Sequence, residues 1–239
     1  MAAQKNPIAS SSTAERREAR GLIERALPGS RRETSEFLAE TAQIRSVRKE
    51  ERIFRQGEPI PLTLVVRGYG AFRRTTVEGQ QVTIGIAEPG GLYGFSTIAS
   101  AQSTVDLVAL TDCEVALWRG PEVRNLTTTD SGFALAVIEV MATYLSTITE
   151  KVDGFLHQNA RRRVVRVLAR HRDLFFASPA VLSRGHLPSL VGTSREMTGR
   201  VLRELEAEGT LARDGRTGLK LLRPDRLDAD AARPSPDAS

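Results

Sequence analysis

Cysteine is nearly absent from this chain of 239 residues, which carries one, Cys113. A lone thiol excludes an intrachain disulfide framework, a four-thiolate iron–sulfur cluster and a zinc-finger cluster. It suits a reducing cytoplasm. Long apolar runs are missing too, and none approaches membrane-spanning length. The first residues, MAAQKNPIASSSTAERREAR, lack the apolar core of a secretory signal. A soluble, cytoplasmic protein with no membrane partner is expected. Histidine is scarce: His157, His171 and His186 read as surface or packing residues. No metal-ligand cluster and no local nucleophile–base motif is found. The chain therefore reads as a non-enzyme, with no catalytic residue, metal or cofactor assigned.

What is present is an uneven charge. The net charge is +5, yet residues 1–158 sum to −1, with 18 Lys/Arg against 19 Asp/Glu. Residues 159–226 hold 15 Lys/Arg against 7 Asp/Glu, a balance of +8, and residues 227–239 return −2. A concentrated basic surplus is what phosphate neutralisation needs. Arg161, Arg162, Arg163, Arg166, Arg170 and Arg172 supply much of it. The alternative is an exposed basic helix face with no partner.

Texture divides the chain further. Residues 1–20 are polar and small and read as disordered, and a short helix is expected between Arg31 and Thr41. From Gln43 to Trp118, short apolar runs alternate with turn signals. The runs are Ile53-Phe54, Leu62–Val66, Val82–Ile86, Val105–Leu110 and Val115–Trp118. The turns are Gln56-Gly57-Glu58-Pro59, Gly68, Glu78-Gly79 and Pro89-Gly90-Gly91. Many short strands at close spacing suggest an antiparallel sandwich or barrel. Gly90, Gly91 and Gly94 serve turns first, since spacing alone is a weak sign of a phosphate cradle. Cys113 is expected to be a small buried hydrophobe in a strand.

From about Asp130 the period becomes helical. Ala134, Ile138, Met141, Leu145, Ile148, Val152 and Phe155 are spaced 4, 3, 4, 3, 4, 3, a narrow heptad seam. Such a seam suits a second copy of the same helix. Packing on the chain's own β domain is the alternative. Gly154 to Asn159 is a candidate hinge, with Asn159 capping a helix over Ala160–Phe176. Ala180–Leu182 is a candidate short strand, and residues 227–239 read as a disordered tail.

The stretch Leu182–Arg203 carries the densest signal. Ser194 is placed to cap a helix from Arg195 to about Ala207, with Gly209 placed to end it. At about 100° per residue, Met197, Thr198, Val201, Leu202 and Leu205 fall on one arc. Arg195, Glu196, Gly199, Arg200 and Arg203 fall on the other. A short apolar segment (Leu187, Leu190, Val191) and Gly192 precede it. Thr210–Arg213, Asp214-Gly215 and Leu219–Leu222 follow as a hairpin. Helix, turn, helix, hairpin is a winged helix-turn-helix plan, with a bland helical hairpin as the alternative. Pro188 fits poorly inside the first helix, which must either begin late or kink.

With these parts in place, residues 36–226 resemble the cyclic-AMP receptor/FNR (Crp/Fnr) family of bacterial transcription regulators. The resemblance rests on Arg55-Gln56-Gly57-Glu58, Pro89-Gly90-Gly91-Leu92-Tyr93-Gly94, Ala109–Val115 (ALTDCEV) and Val191–Leu205 (VGTSREMTGRVLREL). The fold it implies is α+β. An N-terminal antiparallel β-roll (jelly-roll, cyclic-nucleotide-binding-like, 36–129) would lead to a long dimerisation helix (130–158). A C-terminal winged helix-turn-helix (159–226) would follow, with 1–35 a disordered or short helical segment.

The resemblance implies a homodimer on double-stranded DNA, reading an inverted repeat of TGTGA-like half-sites, and contact with RNA polymerase. Arg195, Glu196 and Arg200 match the family's base-reading positions. Arg can fork onto guanine O6/N7, and Glu can accept from cytosine N4. Thr193, Ser194, Arg203, Arg213 and Arg216 are candidate phosphate contacts. Ile138, Met141, Leu145, Ile148, Val152 and Phe155 would form the dimer seam.

The effector pocket departs from the pattern. Family members that bind a cyclic nucleotide place a glutamate after the glycine matching Gly94, and an arginine further on. Here those positions hold Phe95 and Ser103, and no Lys or Arg occurs between Arg74 and Arg119. A buried phosphate without a cation is costly. The pocket candidates, Gly94, Phe95, Ser96, Ser103, Thr104, Tyr144 and Thr149, therefore point to an unidentified small effector or to none. A ligand-sensing module whose basic domain binds protein or RNA is the rival reading.

Overall fold

The computed structural model describes residues 13–77, 79 and 81–233, with side chains from Arg16 onward. The disorder expected for residues 1–12 and 234–239, and Glu78 of the Glu78-Gly79 turn, lie outside these. The chain divides into two compact units. One takes the residues through 80 together with 85–144, and the other takes 81–84 with everything from Leu145.

The first unit opens with helices α1 (Thr13–Ala26) and α2 (Arg32–Thr41). Strands β1 (Gln43–Val47), β2 (Arg52–Phe54), β3 (Leu62–Arg67), β4 (Gly70–Thr75), β5 (Gln81–Ala87), β6 (Leu92–Tyr93), β7 (Asp106–Ala109) and β8 (Cys113–Trp118) follow. They form two four-stranded sheets, ordered β1-β8-β3-β6 and β2-β7-β4-β5. The pairings of β1 with β8, β2 with β7, β3 with β6 and β8, and β4 with β7 are antiparallel: Gln43 faces Leu117 and Val47 faces Cys113 across β1 and β8. All five expected apolar runs are strands. β1, β4 and β6 were missed: QIRSV and GAFRRT carry too many polar residues to read as apolar runs, and the two residues of β6 are too few to make one. Cys113 is buried at the start of β8, as expected.

β3 explains why the unit has two hydrophobic layers. Its residues alternate faces, as strand geometry requires. Val65 packs with Phe72, Leu107 and Val115. Leu62, Leu64 and Val66 pack outward against Ile23, Leu27, Leu38, Trp118 and Phe133. Trp118 Nε1 donates to Leu38 O at 2.8 Å, so the indole is buried with its polar atom satisfied. Burying a side chain such as Ile23 or Leu27 contributes about 1.5–3 kcal/mol. That corrects the expectation of disorder over residues 13–20: Ala19 and Ile23 form one apolar edge of α1, and Leu27 follows directly after its end, all three buried.

Helices α3 (Gly120–Thr129) and α4 (Ser131–His157) complete this part of the chain. Asp130 sits between them, buried, and starts α4. Its Oδ1 accepts from the N–H of Gly132 and Phe133 at 2.9 and 3.2 Å. Its Oδ2 accepts from the Thr34 hydroxyl at 2.6 Å and the Arg31 N–H at 2.9 Å. One carboxylate therefore serves the N-termini of α2 and α4.

α4 is long and apolar enough, by length and composition, to cross a membrane. It holds no unbroken apolar run of that length, because polar residues punctuate the helix. Packing gives α4 another use for its apolar residues. Phe133, Ala136 and Val137 belong to the core of the first unit. Ile138, Met141, Leu145, Ile148 and Val152 are exposed along the heptad seam.

The second unit holds α5 (Ala160–Arg170), α6 (Arg172–Phe175), α7 (Leu187–Val191), α8 (Arg195–Ala207), the hairpin β9 (Leu211–Asp214) and β10 (Gly218–Leu221), and α9 (Pro224–Ala232). Gly154 does not break α4, which ends at His157. Asn159 then caps α5, its side chain accepting from Arg162 N at 2.9 Å. The helix expected over Ala160–Phe176 is divided at His171, whose φ of −109° and ψ of 35° leave helical geometry. Ala180–Leu182 is not a strand. Leu182 instead donates its N–H to Leu174 O at 2.8 Å and buries its side chain. The tail expected to be disordered from residue 227 is helical through Ala232. Leu227 is fully buried there, and it is that burial which orders the segment.

Candidate nucleic-acid interface

The turn stretch resolves the misfit of Pro188. A single 3-10 turn, Arg184–His186, precedes α7. α7 starts at Leu187, which puts Pro188 in its first turn, where the missing N–H would have had no helical partner. Of the two ways out that the sequence left open, the late start holds. Gly192 then adopts φ 65° and ψ 49°, the left-handed geometry that ends α7. Thr193 N donates back to Pro188 O at 3.1 Å.

Ser194 caps α8, its Oγ accepting from Met197 N at 3.0 Å. Thr198, Val201, Leu202 and Leu205 are buried, as the arc requires. Met197 is the exception: it lies at the edge of that arc in the first turn and stays exposed. Arg195, Glu196, Arg200 and Arg203 are exposed along the opposite arc.

An open groove of ≈ 530 Å³ runs along this face. Arg184, Arg195, Arg203 and Arg213 line it, with Glu206 and Pro188 among the other residues. Four arginines against one carboxylate make it strongly positive. Glu206 is taken by Arg213, whose Nε lies 3.2 Å from its Oε1. Among the described residues, Arg184, Arg195 and Arg203 have no carboxylate within ion-pair distance, so their charge faces outward. Arg184 is the residue that sequence reasoning missed. Its backbone N–H donates to Thr217 O at 3.1 Å, tying the start of the motif to the hairpin. The sequence signal for it is the basic side chain of Arg184 directly after Leu182-Ser183, inside the turn stretch. Arg216 is exposed in the hairpin turn beside Gly215.

The basic helix α5 is used differently from the sequence expectation. Arg161 meets Glu204, Glu208 and Asp230 at 3.6, 2.9 and 3.5 Å. The Glu208 hydrogen bond leads the causes that raise the Arg161 pKa further above its ordinary value. Arg162 donates to Arg233 O, and Arg172 pairs with Asp228. Arg163 donates to Val191 O at 3.1 Å and Gln158 O at 2.5 Å. Four of the six arginines counted toward phosphate binding thus hold the unit together: α8, its C-terminal end and α9 bring acids to Arg161 and Arg172, while Arg162 and Arg163 bond carbonyls after α9, at the end of α7 and before α5. Arg166 and Arg170 remain exposed.

The effector candidates are scattered in kind. Gly94 has φ 89°, and a Cβ there would stand 2.2 Å from Pro61 O. Phe95 starts a 3-10 turn and packs against the outer core. Ser103 is buried, but its hydroxyl donates to Val105 O at 2.6 Å and its backbone bonds Gly57 and Glu58. Ser96, Thr104 and Tyr144 are exposed. Thr149 returns its hydroxyl to Leu145 O at 3.0 Å. No cation stands among these residues.

Comparison with known proteins gives two domain models. Residues 44–130 match a cyclic nucleotide-binding domain, and residues 162–229 match a Crp-like helix-turn-helix domain. The chain is 29% identical over 170 residues to the cAMP-activated global transcriptional regulator Vfr of Pseudomonas aeruginosa, covering 65% of this chain and 78% of that one. It is 29% identical over 175 residues to the cyclic AMP receptor protein of Thermus thermophilus, covering 68% and 79%. Among solved structures, FixK2 from Bradyrhizobium japonicum shares the fold with a TM-score of 0.69 at 22% identity, over 82% of this chain and all of that one. The c-di-GMP responsive regulator CLP of Xanthomonas campestris has a TM-score of 0.61 at 27% identity, over 84% and 98%.

Proposed function

The chain belongs to the Crp/Fnr family of transcription regulators and carries its helix-turn-helix DNA-binding domain, and from that premise we propose that it works as a homodimer on an inverted repeat of TGTGA-like half-sites. Two copies of α4 pair along Ile138, Met141, Leu145, Ile148 and Val152, with Phe155 at the end of the seam. Each copy of α8 then enters a major groove, the half-sites lying about 34 Å apart. Arg195, Glu196 and Arg200 read base edges. Thr193, Ser194, Arg203, Arg213 and Arg216 contact phosphates, and Arg184 joins them. Ser194 keeps its O–H as a donor, since its cap uses the oxygen as acceptor.

The observation that carries this reading is the positive groove beside a capped helix, with three of its four arginines free of carboxylates. Phosphate oxygens are the partner such a groove fits. The effector is something other than a conventionally bound cyclic nucleotide, or there is none. Ser103, where the phosphate would need a cation, is neutral and spends its hydroxyl on Val105. The working compartment is the cytoplasm, and RNA polymerase is the downstream partner.

Selection of bound duplexes from a random pool tests this directly. The expected product is an inverted repeat that wild-type protein retards in preference to random duplex at matched salt. Recovery of no consensus, or of one that Arg195→Ala and Arg200→Ala leave unchanged, overturns it.

A further inference from the structure

One ion network of the second unit reaches a proposed base-reading side chain. Asp230 Oδ2, on α9, lies 3.5 Å from Arg161 Nη2 on α5. Arg161 Nη1 lies 3.6 Å from Glu204 Oε2 on α8. The other oxygen, Glu204 Oε1, accepts from Arg200 Nε at 3.2 Å. Glu204 is therefore shared between an arginine of the scaffold and an arginine of the exposed arc.

We propose that Glu204 is a specificity-determining positioning residue, which holds Arg200 through Nε and leaves both terminal amino groups of the guanidinium for a single base edge. The proposal rests on the reading of Arg200 as a base contact. A guanidinium carries five N–H donors in a planar fork, and a bidentate contact to guanine O6 and N7 takes two of them. Nε is the donor best spent on a support, because it lies between the stem and the two amino groups. Fixing it restricts the plane in which they approach a base.

An exposed i, i+4 pair standing alone would hold Arg200 weakly. Glu204 does not stand alone. Its second oxygen faces Arg161, and Arg161 is itself held by Glu208 at 2.9 Å. Glu208 is bound in turn by Arg226 Nη2 at 3.2 Å and, through its backbone carbonyl, by Arg226 Nη1 at 3.0 Å. The anchors thus lie on three elements, α5, α8 and α9. A side chain ordered before binding loses less conformational freedom on meeting its base, and the contact becomes more selective for it.

Glu204→Leu removes the support and leaves Arg161 with Glu208 and Asp230, so no charge is orphaned. Binding is measured by fluorescence anisotropy at fixed salt. The duplexes carry the selected repeat, the repeat with one pair changed symmetrically in both half-sites, and a random sequence. The pair that Arg200 reads is the one at which Arg200→Ala loses discrimination. At that pair Glu204→Leu is expected to lose about fivefold of the discrimination, with Glu204→Gln intermediate because its amide oxygen can still accept from Nε. Discrimination at pairs lost in Arg195→Ala stays at the wild-type value. The double variant Arg200→Ala, Glu204→Leu loses no more than Arg200→Ala. Thermal melting and the mass of the assembly control for folding. If Glu204→Leu changes all duplexes by one common factor, Glu204 acts merely as a charge near phosphate, and the proposal is overturned. If Arg200→Ala discriminates every pair as wild type does, the base-reading assignment falls and the proposal with it. Loss in Arg200→Ala with none in Glu204→Leu overturns the positioning role alone.

Discussion

The ring of Phe155, at the end of α4, lies against Gly192, the turn between α7 and α8. A Cβ built on Gly192 would stand 2.4 Å from Phe155 Cε1. Arg163 fixes both partners: its guanidinium lies 5.6 Å from the centre of the Phe155 ring, and its Nε donates to Val191 O, beside the glycine. The end of α4 and the turn of the DNA-binding motif thus share one contact.

Gly192→Ala is expected to lower the stability of the second unit. Left-handed geometry costs an L-residue about 1–2 kcal/mol, and the ring must also move. DNA affinity falls with it, because the turn sets the angle between α7 and α8. In a Phe155→Ala background the same substitution is milder, since the clash has gone. A double-mutant cycle on melting temperature reads the difference.

Asp130 predicts a pH dependence. Burial works to raise its pKa, but the Thr34 hydroxyl and the N–H groups of Arg31, Phe133 and Gly132 hold it below its ordinary value. A carboxyl depressed on folding contributes stability that is full above its unfolded pKa, about 3.9, and is lost as pH falls through the lower folded value. Asp130→Asn is expected to cost about 1–3 kcal/mol at neutral pH. That cost shrinks toward zero in acid. Thermal melts of both proteins between neutral pH and strong acid should converge; parallel curves would separate Asp130 from the effect.

The seam is tested at Leu145, which is 64% exposed. Leu145→Glu touches nothing buried within one chain but puts like charges face to face in a pair of helices. Sedimentation should show monomers with unchanged melting of the first unit. Affinity for the inverted repeat should drop by about a hundredfold, as the second half-site becomes a separate binding event.

Cyclic AMP should give no saturable heat in isothermal titration up to about 1 mM, where a ligand would still gain about 4 kcal/mol of binding free energy. Ser103→Ala should leave that result unchanged. It should instead lower stability by about 1 kcal/mol, because the hydroxyl serves Val105.

Much of this was legible because the signals were local. Ser194 caps the residues beside it, Asp214-Gly215 turns the hairpin it lies in, and the β-roll strands announce themselves through apolar runs between turns. What failed to show depended on residues far away in sequence. The arginines of α5 look like one phosphate-binding face until Glu204, Glu208 and Asp230 are folded onto Arg161, and carbonyls onto Arg162 and Arg163. α9 looks like a polar tail until Leu227 finds a buried place. α1 carries few apolar residues, but those few fall on one edge, and β3 supplies the surface that makes them count. Gly154 marks the start of the candidate hinge in the sequence, yet α4 continues through it to His157, since one glycine costs a long helix only about 1 kcal/mol.

The Phe155 contact also bears on how this protein can be divided. A fragment cut where the sequence changes texture, between Gln158 and Asn159, would keep every base-reading and phosphate-binding candidate. It would still lose the aromatic lid over Gly192 and both the ring and the Gln158 carbonyl that hold Arg163. The smallest piece that preserves the reading head in working order begins upstream of Phe155, inside the helix assigned to pairing. The proposed pairing seam and the proposed DNA reader overlap along the chain, and no single cut separates them cleanly.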